Sequence, residues 1–167
     1  MKKRKIWIVM ACVVVCLCLV FAGANAIWDR MTDYSTTLNI NWGFSLPKEA
    51  HYSEIYSLES EASVFGDGIR YHVFSCENPE PIDEMFSWQM GVYVSYVVAC
   101  DEWLSQIGVP QEEFPDYAYC LYWYQQDEDG RDEIFLFWNE NTGVLYVVEF
   151  FLRGITVISC GGSFRKS

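Results

Sequence analysis

Histidine is nearly missing from this chain: His51 and His72 are the only two in 167 residues. There is no C-x-x-C pair and no H-E-x-x-H. A zinc site draws on clustered His and Cys, so that chemistry has little support. A metal site on the two histidines needs a third ligand, which the sequence does not nominate. If the early strands pair, the two rings could share a neighbourhood. The G-x-S-x-G nucleophile turn and the G-x-G-x-x-G dinucleotide fingerprint are absent as well. Any cysteine could be matched with either histidine, so a Cys–His nucleophile pair carries no signal. Carboxylate pairs for glycoside hydrolysis are equally unconstrained among 23 acids. Internal repeats and low-complexity tracts are absent. No cofactor and no catalytic residue is expected from these patterns.

Basic charge is the second shortage. Four of the 11 Lys and Arg residues are Lys2, Lys3, Arg4 and Lys5. Beyond residue 26 that leaves seven against all 23 acids, a net charge of −16. Such a region is repelled by nucleic acid and by anionic lipid. The acidity serves solubility, or it attracts cations or a basic partner.

Charge of either sign is missing from residues 6–26, "IWIVMACVVVCLCLVFAGANA". At 1.5 Å per residue this run spans roughly 31 Å, the thickness of a bilayer core. Two fates are open. Ala24-Asn25-Ala26 resembles a signal-peptidase site, giving release after Ala26. The length of the run, with Trp28 and Arg30 after it, suits a retained single-pass anchor. Either way, the positive-inside rule places the cations inside and residues 27–167 outside the cytoplasm. Cys12, Cys16 and Cys18 fall inside the apolar run and read as small apolar residues.

What the chain has in excess is aromatic surface. It holds 11 Phe, 11 Tyr and 7 Trp, of which only Trp7 and Phe21 lie before residue 27. A disordered exterior region is excluded by that load, despite the charge. Cys76, Cys100, Cys120 and Cys160 also lie there. An even number in an exported domain permits two disulfides, and buried free thiols are the alternative.

The organisation follows from the patterning. Residues 1–26 form the anchor or signal, 27–43 a stalk or first strand, and 44–167 one exterior domain. "HYSEIYSL" at 51–58 and "IRYHVFSC" at 69–76 read as strands. Between them, "FGDG" reads as a structural turn, with Gly66 and Gly68 supplying positive φ and Asp67 binding local backbone. A phosphate loop needs a helix directly after its glycines, and a strand follows here. Residues 80–107 carry apolar side chains at three- and four-residue spacing, so a long amphipathic helix is expected, kinked or broken near Gly91. Asn78 is its candidate N-cap, and Gly108 before Pro110 its terminator. "DYAYCLYWYQ", "DEIFLFWN", "GVLYVVEFFL" and "ITVISC" then read as a four-stranded antiparallel meander. "DEDGRDE" at 127–133 has calcium-type ligands, but its glycine comes too early for an EF-hand loop, so it reads as a hairpin tip. The expected class is α+β: an N-terminal transmembrane or signal helix, an early β-hairpin, a long or broken helix and a C-terminal meander.

"LPKEA…VFGDGIRYHVF" and "FPDYAYCLYWY…DEIFLFWNENTGVLYVVEF" carry a further signal. Over roughly residues 43–150 the chain resembles an uncharacterised group of small membrane-anchored extracytoplasmic proteins of Gram-positive bacteria. That resemblance implies a location and an architecture, with no activity attached. The chain departs from the group's pattern in its aromatic middle, residues 85–103.

The expected function is a non-enzymatic binding module of the cell envelope. The alternative is an envelope-bound or secreted hydrolase acting on glycans. The late strands hold too many aromatic residues for one face of a sheet. Tyr122, Tyr124 and Trp138 are therefore the candidate binding surface, partly exposed and rimmed by acids, for an envelope protein or glycan. The topology is checked by protease added to intact cells. The exterior domain should be digested while a membrane-bound fragment remains. Intact domain found free in the medium, beginning at Ile27, would establish the cleaved-signal fate.

Overall fold

The structure, a computed structural model, describes residues 34–61 and 67–152. The apolar run 6–26, Gly66, Cys160 and the β-type run 155–160 lie outside that set. Among the described residues no helix is long and apolar enough to cross a membrane. The chain divides into two units, residues 1–46 and 47–167.

In the first unit, residues 34–42 correct the strand alternative of the stalk-or-strand expectation: Tyr34–Trp42 is a helix, α1. Leu38 and Trp42 stand four residues apart and are buried, a helical spacing that polar neighbours obscure in the sequence. Ser35 Oγ accepts the Leu46 N–H at 2.8 Å, closing the chain back on the helix.

The second unit is built on one antiparallel sheet. Its strands are β1 (Tyr52–Glu59), β2 (Gly68–Cys76), β3 (Leu121–Gln126), β4 (Glu133–Asn139) and β5 (Val144–Phe151). Their spatial order is β1-β2-β5-β4-β3. The class is thus α+β, as expected, but the meander has three described strands. The place beside β5 that a fourth would take is filled by β2, in register from Gly68↔Phe151 to Ser75↔Val144. Early hairpin and late meander are one sheet. The first of the late strands also starts later than expected, at Leu121.

Both faces of this sheet are apolar. Every residue of β4 from Ile134 to Asn139 is buried, so alternation gives each face a share. One face carries Tyr71, Val73, Tyr122, Phe135, Phe137 and Val148. The other carries Ile134, Leu136, Trp138, Leu145 and Val147, in register across β4 and β5. Neither face tolerates water, and each needs a cover.

That requirement explains why residues 80–107 do not form one helix. They form α2 (Glu80–Asp83) and α3 (Val94–Ile107), with a non-helical crossing between. On the second face, the Trp138 indole N–H donates to Asp83 Oδ1 at 2.6 Å and Phe86 stacks on Trp123 at 4.1 Å. At the sheet edge, Gln89 exchanges two backbone hydrogen bonds of 2.9 Å with Tyr122 of β3. On the first face, Tyr96, Cys100 and Leu104 of α3 join the aromatic core. The segment passes round the edge strand and packs on part of each face. Asn78 does not cap α2, whose N-cap is Pro79 without a side-chain bond. Its side-chain amide instead donates to the Glu49 carbonyl at 3.1 Å. At the far end of α3, Gly108 takes φ +83 and Val109 N–H reaches back to the Leu104 carbonyl, a Schellman stop.

The β1–β2 connection is longer than a tight turn. Gly68, at φ +106, opens β2, and Ser60 closes the loop through backbone and Oγ bonds to Ile69. The tip at 127–132 is a hairpin turn in which Asp127 Oδ1 accepts the N–H groups of Arg131 and Asp132. These bonds, the Arg131 N–H first, hold the Asp127 carboxyl below its usual range. No group of three or more His, Cys, Asp or Glu among the described residues could hold a metal.

Gly143, at the β4–β5 turn, has φ +67, and an added Cβ would stand 2.8 Å from the Cys76 carbonyl oxygen. Gly91 has φ +76 but open space around it. Gly143→Ala should therefore lower stability by about 2 kcal/mol and Gly91→Ala by about 1 kcal/mol, read from urea unfolding. Equal losses would show that the close backbone approach carries no weight.

Candidate functional site

The three aromatic residues expected to form a surface are not brought together on one. Trp138 is fully buried, on the face opposite Tyr122. Tyr122 is 3% exposed and spends its hydroxyl on Gln89 Oε1 at 2.6 Å. Tyr124 is half-buried, stacked on Tyr96 at 5.0 Å, and burial pushes its hydroxyl up to about 12. The correction has a simple cause: α3 packs over Tyr122 and Tyr124 on one face, while Asp83 and Phe86 meet Trp138 and Trp123 on the other, so the aromatic excess is divided between two packed faces.

The large apolar side chains left exposed among the described residues are a different set: Ile40, Ile55, Tyr119 and Leu152 singly, and four within residues 90–98. Met90 and Tyr93, at the end of the edge crossing, are 85% and 61% exposed. Val94 and Val98, one turn apart on the outer side of α3, are 78% and 49% exposed. All four fall within residues 90–98, where the crossing turns into α3, and they form one exposed apolar stretch of chain, a ridge at the start of the helix. The Tyr93 ring packs edge-on against Tyr96 and Tyr122, which fixes the base of the ridge to the core. Tyr93 fits the apolar spacing of residues 80–107, which in one continuous helix would bury it. The crossing ends at Tyr93, however, and the phase of α3 is set from Val94 onward.

A second concentration of chemistry lies on the other face, at the β1 side of the sheet. His72 of β2 is 5% exposed. Its Nδ1 stands 2.6 Å from Glu54 Oε1 and its Nε2 3.4 Å from Glu59 Oε1. Arg70 Nε lies 3.8 Å from Glu59 Oε2, and the guanidinium sits 4.7 Å over the Phe151 ring. Glu149 of β5, fully buried, is the cross-strand partner of Arg70. Glu54 and Glu59 are five residues apart, which in a regular strand places them on opposite faces. A β-bulge between Glu54 and Tyr56 shifts the register and turns Ile55 out to 58% exposure. Both carboxylates then land on the His72 face. No strand pattern in the sequence announces that bulge, so the cluster was not legible there.

The cluster is not a hydrolytic carboxylate pair. An imidazole ring fills the space between Glu54 and Glu59, where a sugar and water would have to enter. The two histidines do not meet either. His51 precedes β1 in the left-handed region, at φ +48, while His72 pairs with Ser57. At 3.3 Å per residue they are about 16 Å apart along the sheet. The described cysteines are equally unsuited to catalysis. Cys76, Cys100 and Cys120 are free and buried. Burial pushes the Cys76 thiol up to about 11 and the Cys120 thiol up to about 12, and raises Cys100 well above its usual value. Nucleophilic thiols need the opposite shift. None of these three pairs in a disulfide, which corrects the two-bridge option as far as they are concerned.

Compared with protein-family models, with curated proteins and with solved structures, the chain matches none.

The His72 cluster should act as a brace between β1 and β2. In a double-mutant cycle of Glu54→Gln and His72→Asn, the coupling should be about 0.5 to 1 kcal/mol, held low by the exposure of Glu54. A coupling of zero by chemical denaturation would show that the contact adds nothing to the strand pair.

Proposed function

We propose that the protein is a membrane-anchored interaction module on the outer side of the cell membrane, and not an enzyme. The observation that carries this reading is the exposed ridge Met90, Tyr93, Val94 and Val98 on an otherwise strongly acidic domain. A folded domain that exposes Tyr, Met and Val close together in the chain, beside a buried aromatic core, has surface left for a contact. The location rests on the basic start, the uncharged run 6–26 and the resemblance of the sequence to anchored exterior proteins. The glycan-hydrolase alternative gains no support from the His72 cluster, whose carboxylates are occupied by a ring.

A photo-reactive benzophenone amino acid placed at Val94 in living cells tests the reading. It should give a covalent adduct with another envelope component. The same group at Glu112, exposed beyond the far end of α3, should give none. Equal labelling at the two positions, or none at either, would remove the ridge as a contact surface.

A further inference from the structure

The charge distribution around the ridge narrows what it can meet. From Met85 to Cys100 sixteen residues pass without a charged side chain, in a region that beyond residue 26 carries 23 acids. Along the chain the flanking acids are Glu84 on one side and Asp101 and Glu102 on the other, and Glu102 follows Val98 by one turn of α3. A basic partner protein would be drawn to the acidic surfaces and would find no charge here to pair with. A sugar needs convergent hydrogen-bonding groups, whereas the ridge presents two valines, a methionine and one tyrosine. These side chains suit the boundary between lipid headgroups and acyl chains, where Tyr keeps its hydroxyl wet and the aliphatic groups go dry.

We propose that the ridge rests on the lipid surface of the same membrane that residues 6–26 enter. This rests on the anchor reading above. Twenty residues connect the end of the apolar run to the sheet unit, which begins at Pro47. Nine of them form α1, about 13 Å long, and the other eleven span at most about 35 to 40 Å when extended. With α1 included the tether reaches at most about 50 Å, which holds the sheet unit within that distance of the bilayer and makes contact with lipid an intramolecular event. A ridge too small to bind free lipid then has an effective concentration in the millimolar range. Charge selects the face. A region with net −16 is pushed away from anionic headgroups, and residues 85–100 add no acid of their own to that repulsion.

The attraction is therefore apolar and the opposition electrostatic, the reverse of a polybasic membrane site. Added anionic lipid should weaken the contact, and added salt should restore it.

The test uses the full chain reconstituted into phosphatidylcholine vesicles, with an environment-sensitive fluorescent amino acid at Val94 or, as control, at Glu112. Brominated phosphatidylcholine should quench the probe at 94 at least about twofold more than the probe at 112. Phosphatidylglycerol should reduce that difference at low salt and high salt should recover it. Val98→Glu should abolish it while circular dichroism stays unchanged. If the chain floats with the vesicles but the two probes are quenched alike, the lipid contact is wrong and the anchor stands. If the chain does not float with the vesicles, the anchor reading falls and the inference with it. Quenching at 94 that disappears when protein is diluted at constant lipid would assign the ridge to a second copy and overturn the proposal.

Discussion

A sheet that is apolar on both faces must be covered twice. In this protein one stretch of chain, residues 80–107, supplies a cover to each side by rounding the outer edge of β3. The hydrogen-bonded pair Gln89–Tyr122 is the pivot of that passage. On one side of it Asp83 and Phe86 hold Trp138 and Trp123; on the other Tyr93 and Tyr96 hold Tyr122. The same passage satisfies part of the backbone edge of β3, which would otherwise be open to another strand. It also leaves the ridge behind: Met90, Tyr93, Val94 and Val98 come out of the crossing and start α3 exposed.

The opposite edge of the sheet is handled differently. β1 is mostly exposed, and its bulge at Ile55 interrupts the flat run that an incoming strand would need. The bulge does a second thing by bringing Glu54 and Glu59 to the same side as His72 and Arg70. A polar brace thus ties the thinnest-packed strand to β2, where the aromatic core, centred on β2, β5 and β4, reaches least. The two edges are guarded by unlike means: one by a crossing segment, the other by a kink and charge.

The sequence made the strands legible because each is a short β-branched or aromatic run bounded by turn residues. The stop at Gly108 was legible because Gly before Val-Pro allows little else. The helix at 34–42 was not, since only Leu38 and Trp42 among mostly polar neighbours mark its buried side. The break in residues 80–107 was legible as a weakness at Gly91, but its reason was not. That reason is the distance around a sheet edge, which depends on β3, thirty residues later. The union of hairpin and meander through β2 and β5 was hidden for the same cause, as nothing local in either strand names its partner. The exposed surface could not be read from aromatic counts: Tyr122 and Trp138 differ in burial from Tyr93 through which face and which end of an element they occupy, not through residue type.

The central place of β5 has a consequence for how the chain acquires its shape. β5 is the last described strand, yet it lies in the middle of the sheet and joins residues 68–75 to residues 144–151. The β1–β2 hairpin has no second neighbour until roughly 70 to 80 further residues have been delivered, and closing so large a loop is slow. Throughout that interval β2 shows a bare edge and an apolar face. A chain threaded outward from its N-terminus would therefore complete its fold all at once and late, in a single closing step set by the arrival of β5. Loss of even the last few residues of that strand would unmake the centre of the sheet, not trim its margin.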